Sequence, residues 1–339
     1  MNLYWPVYKR LENEVLECAN YIFFSDNQLK VHSLVIGNLI VRCAIEIESL
    51  AKELYVREGG NPDLLDEEGK KRDLYFDTDC LEFLNQKWNI CEKKVSISST
   101  DMFFEEFREL KPLKKSNKRG TSGSKWKQAY QNIKHDRVNQ IKKFANVENL
   151  MNALAALFIL NIYYSDEDFW TEEPMSKKRE YREDIFSSIF TVKRVDATHI
   201  TMAVEMGDGG ISDLNSDDVL ESIYIEKFTD MAFENIHRDM CVDNLNISIN
   251  IKSSAEYKNY CLQNPGAENE PLIDVAKKIG LEFYKKYILR GEFSRNFNNN
   301  SRKKETRLNK GGPIYPELRF EGFLLSEEGK ELALKLAQL

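Results

Sequence analysis

The stretch Lys125-Trp126-Lys127-Gln128-Ala129-Tyr130-Gln131-Asn132-Ile133-Lys134-His135-Asp136-Arg137 concentrates residue types that act on a phosphate ester. An imidazole titrates near neutral pH and can carry a proton either way, while neighbouring cations stabilise charge that develops on phosphate oxygens. His135 lies between Lys134 and Arg137. Helical spacing predicts that Trp126, Tyr130, Ile133 and Ile141 share a core face, and that Gln128, Asn132 and His135, with Asn139 one turn on, share the other. A purely structural role also fits, with Asn132 and His135 hydrogen-bonding across a helix contact. Composition alone favours that role.

Charge distribution points the same stretch toward a polyanion. The 339 residues carry a net charge of −7, which taken whole argues against nucleic acid. Residues 111–143, however, hold eleven Lys and Arg against the single acid Asp136, and residues 285–310 hold nine against Glu292 and Glu305. These segments are +10 and +7, leaving −24 on the rest of the chain. Both carry aromatics within or directly beside them, Trp126, Tyr130 and Phe144 for the first and Tyr284, Tyr287, Phe293 and Phe297 for the second. Cations beside rings are the means by which proteins hold single-stranded nucleic acid. The expected RNA contacts are Lys114, Lys115, Lys118, Arg119, Lys125, Lys127 and Tyr130 in the first segment, and Arg290, Arg295, Arg302, Lys303 and Lys304 in the second.

Other constellations are weaker. The six cysteines contain no C-x-x-C pair and the four histidines are scattered, so neither a metal centre nor a cofactor is expected, and the thiols read as free in a reducing cytoplasm. Gly207-Asp208-Gly209-Gly210 lacks the Lys-Ser/Thr of a phosphate loop, and Asp213, Asp217 and Asp218 do not have EF-hand spacing. Glu46 and Glu48, two apart, do not share a helix face. The amino terminus has no apolar signal core, and the run Leu150 to Tyr164 is interrupted by Asn152 and Asn161, so a cytoplasmic chain away from membranes is expected.

The elements that must position these residues divide at a change of texture. Helical periodicity is expected over Tyr8 to Phe24, Val31 to Glu58, Asp79 to Trp88, a segment through Phe103, Phe104 and Phe107 capped by Thr100-Asp101, Ser124 to Phe144, and Val147 to Tyr164. No strand is expected before Glu172. Beyond the charged connector near residue 172, strands are expected at Ile189 to Val192, His199 to Val204, Ser222 to Ile225 and Leu245 to Ile251. Helices are expected at Pro271 to Leu289 and Ser326 to Leu339, with a loop over Asn296 to Pro316. The fold class is therefore α+β: an all-α helical bundle over residues 1–170, then an α+β domain over 171–339, two domains being ordinary for this length.

The pattern W-x-x-A-Y-x-x-I-K-H-x-R, followed by the apolar helix containing Asn152 to Leu157, resembles the HEPN superfamily, and within it bacterial, defence-associated proteins with a "KHDR"-type signature. The resemblance covers roughly residues 1–165. It implies a helical bundle that dimerises and acts on single-stranded RNA as a metal-independent endoribonuclease in antiviral defence or abortive infection. Its alternative is a non-catalytic module that binds RNA or nucleotides, as in a ribonucleoprotein subunit. His135 carries over directly from the family's nuclease motif. The upstream positions where that motif holds arginine are here Tyr130, Ala129 and Gln128. The resemblance therefore leaves Asn132 as the polar accessory position and Arg137 or Lys134 as the cation acting from the other side of the histidine. For residues 180–339 the sequence suggests no family; a sensor or RNA-binding role is the expectation.

Overall fold

The computed structural model describes residues 3–117, 121–166, 169–171, 187–198, 200–202, 209–211, 215–288 and 303–339. Helices α1 (Tyr4–Ala19) and α2 (Leu34–Arg57) open the chain. Ser33 caps α2 by accepting from the Ile36 N–H, and Ile36, Leu39, Ile40, Cys43, Ile47, Leu50 and Leu54 form its buried stripe. A π-helix at Phe76–Leu81 runs directly into α3 (Glu82–Trp88). Helices α4 (Lys125–His135), α5 (Arg137–Phe144) and α6 (Val147–Ser165) complete the helical first half. Asn146 caps α6, which is buried continuously from Val147 to Tyr163 and packs against α1, α2 and α4. Among the described residues α6 is long and apolar enough to cross a membrane, yet 94% of its apolar window is covered by the rest of the protein, so its apolarity is accounted for by the core.

Three expectations for this half are corrected. The helix expected from Ser124 to Phe144 is broken at Asp136, whose φ of −147° and ψ of 65° end α4 and start α5 in a new direction. The helix expected through Phe103 and Phe107 does not form. There the Asp26 carboxylate accepts the backbone N–H groups of Glu105 (2.7 Å), Glu106 (3.3 Å) and Phe107 (2.8 Å), and Phe103 donates to the Phe24 carbonyl (2.7 Å). A side-chain acceptor takes the donors that a helix would have used. Strands do occur before Glu172: β1 (Val95–Ile97), β2 (Glu109–Leu110) and β3 (Phe169–Thr171), each too short to show alternation.

The second half mixes strands and helices. In chain order these are β4 (Phe190–Val192), β5 (Arg194–Asp196), β6 (Ile200–Met202), β7 (Gly209–Ile211), α7 (Ser216–Glu221) and β8 (Tyr224–Phe228). They are followed by α8 (Asp230–Ser253), α9 (Ala255–Gln263), α10 (Leu272–Ile279), α11 (Leu281–Tyr287), β9 (Lys304–Leu308), α12 (Phe320–Leu324) and α13 (Glu327–Ala337). One sheet has the order β3-β9-β8-β5, with β5 and β8 parallel and the other pairs antiparallel. A second sheet has the order β2-β1-β4, and β6 pairs with β7.

Leu245 to Ile251, expected as a strand, lies inside α8, where Thr229 caps the helix. Ile247 and Ile251, one turn apart, meet Tyr257, Val275 and Phe283 in a small separate core. In the expected loop from Asn296 to Pro316, residues Lys304–Leu308 instead form β9.

The two halves meet through hydrogen bonds and shared packing. Glu12 of α1, fully buried, pairs with Lys9 and accepts from Tyr8 Oη (2.9 Å), Ser187 Oγ, Ser188 N (2.8 Å) and Ile189 N (3.3 Å). Ile189, Phe190, Ile223, Tyr224 and Leu308 join the core built on α2 and α6, so the start of the second half is packed onto the helices.

Candidate nucleic-acid interface

Packing on one face sets the rotation of α4. Trp126 is fully buried, donates from Nε1 to the Pro112 carbonyl (3.1 Å) and meets Phe76 edge-on with ring centroids 5.3 Å apart. Tyr130 and Ile133 follow it inward, as the spacing predicts, and so does Ala129; Ile141, expected on the same face, is only half-buried, because it lies beyond the break at Asp136 on α5. Gln128, Lys134 and His135 consequently face solvent. Helix α5 buries none of its residues, so the chain from Lys134 to Lys143 forms an outer ridge.

The structure separates the expected site residues into open and occupied groups. His135 is exposed, and its ring makes no hydrogen bond or ion pair among the described residues. Arg137 and Lys142 are exposed with no carboxylate within ion-pair distance among those residues. Lys134 and Lys143 engage only ring faces, Tyr130 at 5.6 Å and Phe144 at 5.1 Å. Asn132 does not hydrogen-bond His135; its Nδ2 donates to the Gln128 carbonyl one turn back (2.8 Å), so the amide N–H is committed to its own helix.

The remaining cations of the segment are largely spent within the fold. Lys111 pairs with Glu92, while Lys125 shares Glu148 with Lys30. Lys127 pairs with Glu48, and its Nζ lies 5.4 Å from the ring centroids of both Phe76 and Tyr130. Lys127 and Tyr130 are only 6% and 7% exposed, because their positions fall on the side turned inward by Trp126 and Ala129. They leave the RNA-facing set. Burial, reinforced by the charge of Lys134, pulls the Lys127 ammonium down to about 8.

Lys114 and Lys115 are exposed, but at the opposite end of α4: the Lys114 N–H donates to Ser124 Oγ (3.0 Å). At 1.5 Å of rise per residue, that end and His135 stand about 15 Å apart along the helix. One chain does not bring them to a common point. Lys118, Arg119, Arg290, Arg295 and Arg302 lie outside the described residues. Lys303 is exposed, whereas Lys304 is half-buried against Thr198 (3.1 Å), Glu226 (3.8 Å) and the Phe228 ring (5.9 Å). Lys285, Lys286 and Lys310 face Glu282, Glu256 and Asp166.

A polar cluster beneath α4 escaped the sequence reading. Asp77, on the π-helix, has its carboxyl pushed up by burial while a bond from Ser122 works the other way, and its Oδ1 is buried without a hydrogen-bond partner. Gln128 Nε2 donates to the Ser122 carbonyl (2.8 Å), so Asp77, Ser122, Gln128 and the Lys127–Glu48 pair meet around the first turns of α4. No spacing signal joins them, since the π-helix and α4 are far apart in sequence.

An open cleft of about 490 Å³ lies between α8 and residues 317–323, lined by Glu234, His237, Arg238, Leu318 and Phe323 among others. Its arginines are paired, Arg238 with Asp239 and Arg319 with Glu317. Among the described residues no group of three His, Cys, Asp or Glu side chains is placed to hold a metal ion. Comparison with protein-family models, curated proteins and solved structures returns no match for the chain.

Proposed function

We propose that this chain is a HEPN-like, RNA-directed protein that holds single-stranded RNA along the ridge from Lys134 to Lys143 and cleaves it with His135 as the proton-transfer group. The observation that carries this reading is the contrast within one basic segment. Lys111, Lys125 and Lys127 are paired with carboxylates, whereas Lys134, Arg137, Lys142 and Lys143, on the ridge that carries the exposed His135, have none within ion-pair distance among the described residues. Unneutralised cations are the ones that displace counterions from a phosphate backbone.

In the cleavage step His135 takes the proton of a ribose 2′-hydroxyl as that oxygen forms a bond to the adjacent phosphorus. Arg137 or Lys134 stabilises the added negative charge on the phosphoryl oxygens. The bond from phosphorus to the 5′-oxygen breaks, and an acid on the far side returns a proton to that oxygen, leaving a cyclic phosphate and a 5′-hydroxyl. No metal takes part in this scheme. The ridge of one chain offers a single imidazole, so the proposed working form is a homodimer in which a second copy supplies the acid. Leu34, Val35 and Val138, exposed by 66%, 57% and 87%, give an apolar surface on α2 and α5 for that pairing. A role in cytoplasmic antiviral defence, as the resemblance implies, belongs to the same proposal.

Binding without cutting is the second reading. It is favoured by the commitment of the Asn132 amide to Gln128 and by the buried Tyr130 standing where the family's arginine would precede the histidine. Incubating the full chain and its His135→Ala variant with end-labelled single-stranded RNA in EDTA separates the two. EDTA-resistant cutting that the variant lacks supports the nuclease; equal binding by both proteins with no cutting supports the second reading. Cutting that survives His135→Ala removes His135 from the mechanism.

A further inference from the structure

Away from the ridge, the large aromatic side chains more than half exposed among the described residues are Tyr21 (90%), Phe23 (61%), Tyr75 (60%) and Phe103 (54%). Tyr75 already has a partner of its own: the Arg72 guanidinium lies 4.8 Å from its ring centroid and forms a two-pronged bond to Asp79 at 2.7 and 2.9 Å. A ring, a guanidinium and a carboxylate satisfy one another there. Among the described residues no cation lies over the other three rings, and Phe103 has Asp101 and Glu105 two residues to either side. Phe23 and Phe103 stack with centroids 4.7 Å apart and planes 15° apart, forming one exposed aromatic pair.

This surface is held rigidly. Phe103 N donates to the Phe24 carbonyl, and Asp26 gathers the N–H groups of Glu105, Glu106 and Phe107, fixing the loop that carries Phe103 against the residues after α1. Because the loop contributes only backbone N–H groups to that anchoring, the Glu105 and Glu106 side chains are exposed and make no ion pair among the described residues. From Asp101 to Glu109 the loop has four acids, Asp101, Glu105, Glu106 and Glu109, against Arg108 alone. Exposed aromatic surface of this kind marks an interaction site, and its acidic border repels phosphate.

We propose that the stacked Phe23 and Phe103, with the exposed Glu105 and Glu106 two and three residues beyond Phe103 on the same loop, form a docking surface for a basic segment of a partner protein. Arginine or lysine groups of that segment stack on the rings and pair with the carboxylates, repeating between molecules the arrangement of Tyr75, Arg72 and Asp79. Because the receiving loop is already ordered, little conformational freedom is lost on its side when the segment binds. The surface is separate from the RNA ridge in residues, charge and ligand, and the proposal does not rest on nuclease activity.

Fluorescence anisotropy of the full chain with a labelled peptide of Arg-Leu-Gly repeats tests it, with the same peptide carrying Glu for Arg and an oligouridylate as the other probes. The arginine peptide is expected to bind and the glutamate peptide not. Phe103→Ala, which keeps the backbone anchor, and the double variant Glu105→Lys/Glu106→Lys, which leaves the rings in place, should each weaken peptide binding roughly tenfold. Neither should change oligouridylate binding. The proposal is overturned if the parent protein does not bind the arginine peptide, or if both variants bind it as the parent does. It is also overturned if the variants lose oligouridylate binding, which makes the surface an RNA site, or lose self-association in sedimentation, which makes a second copy the occupant.

Discussion

The cations of this protein fall into two populations that look alike in the sequence. Lys93, Lys127 and Lys227 are 1%, 6% and 1% exposed and are built into the structure. Lys93 donates to the Leu220 carbonyl (2.9 Å); Lys127 meets Glu48; Lys227 meets Asp230 (2.5 Å), Glu305 (3.5 Å) and the Ile314 carbonyl (2.9 Å). Lys134, Arg137, Lys142 and Lys143 have no carboxylate within ion-pair distance among the described residues and lie in water. A buried ammonium is dehydrated and supports the fold only through its partners, whereas an exposed one keeps its charge available to a ligand. The total of eleven basic residues in 111–143 therefore overstates the charge left open to a ligand, since burial removes Lys127 and carboxylate pairing engages Lys111 and Lys125.

Perturbing each population should give opposite signatures. His135→Ala, in the open group, should abolish RNA cleavage while shifting unfolding by less than about 0.5 kcal/mol, as exposed substitutions do; urea denaturation beside a cleavage gel reads both. Glu48→Ala, in the built-in group, leaves Lys127 buried without its acid and should cost about 3 kcal/mol of stability with RNA affinity per folded molecule unchanged.

Lys93 provides a pH test of the same distinction. Burial pulls its ammonium down to about 8 from the ordinary 10.5, so between those pH values the unfolded chain binds a proton that the folded chain has released. Its contribution to stability therefore rises with pH across that window. Lys93→Met, lacking the buried charge, should be more stable than the parent at pH 7 by about 1–3 kcal/mol, and the gap should narrow toward pH 10. A gap that widens would place the ammonium in a favourable site. The smallest effect is expected from Lys125→Gln: the side chain is half exposed and Glu148 keeps Lys30, so the loss should be about 0.5 kcal/mol, with no change in RNA binding.

Much of the helical half was legible because its signals are local. Asn146 caps the helix expected from Val147, and Trp126, Tyr130 and Ile133 face the core at the spacing that predicts it. What escaped depends on distant partners. Asp26 diverts the N–H groups of residues 105–107 from a helix, and the isoleucine alternation at 247–251 is overruled by a core that those side chains reach from α8. At the candidate site, the residue types around His135 were visible, as was the core face of α4. The break at Asp136, the turn of the Asn132 amide onto Gln128 and the burial of Lys127 were not, since each is set by where neighbouring elements pack.

The most direct measurement is the salt dependence of single-stranded RNA binding for two multiple variants of the full chain: Arg137→Gln/Lys142→Gln/Lys143→Gln from the ridge, and Lys111→Gln/Lys125→Gln from the paired group. With about 0.7 of a counterion released per phosphate contact on single strands, the ridge variant should lower the slope of log affinity against log salt by about 2, while the paired-group variant leaves it unchanged. Equal losses from both variants, or a slope untouched by the ridge variant, would contradict the assignment of RNA to the open cations.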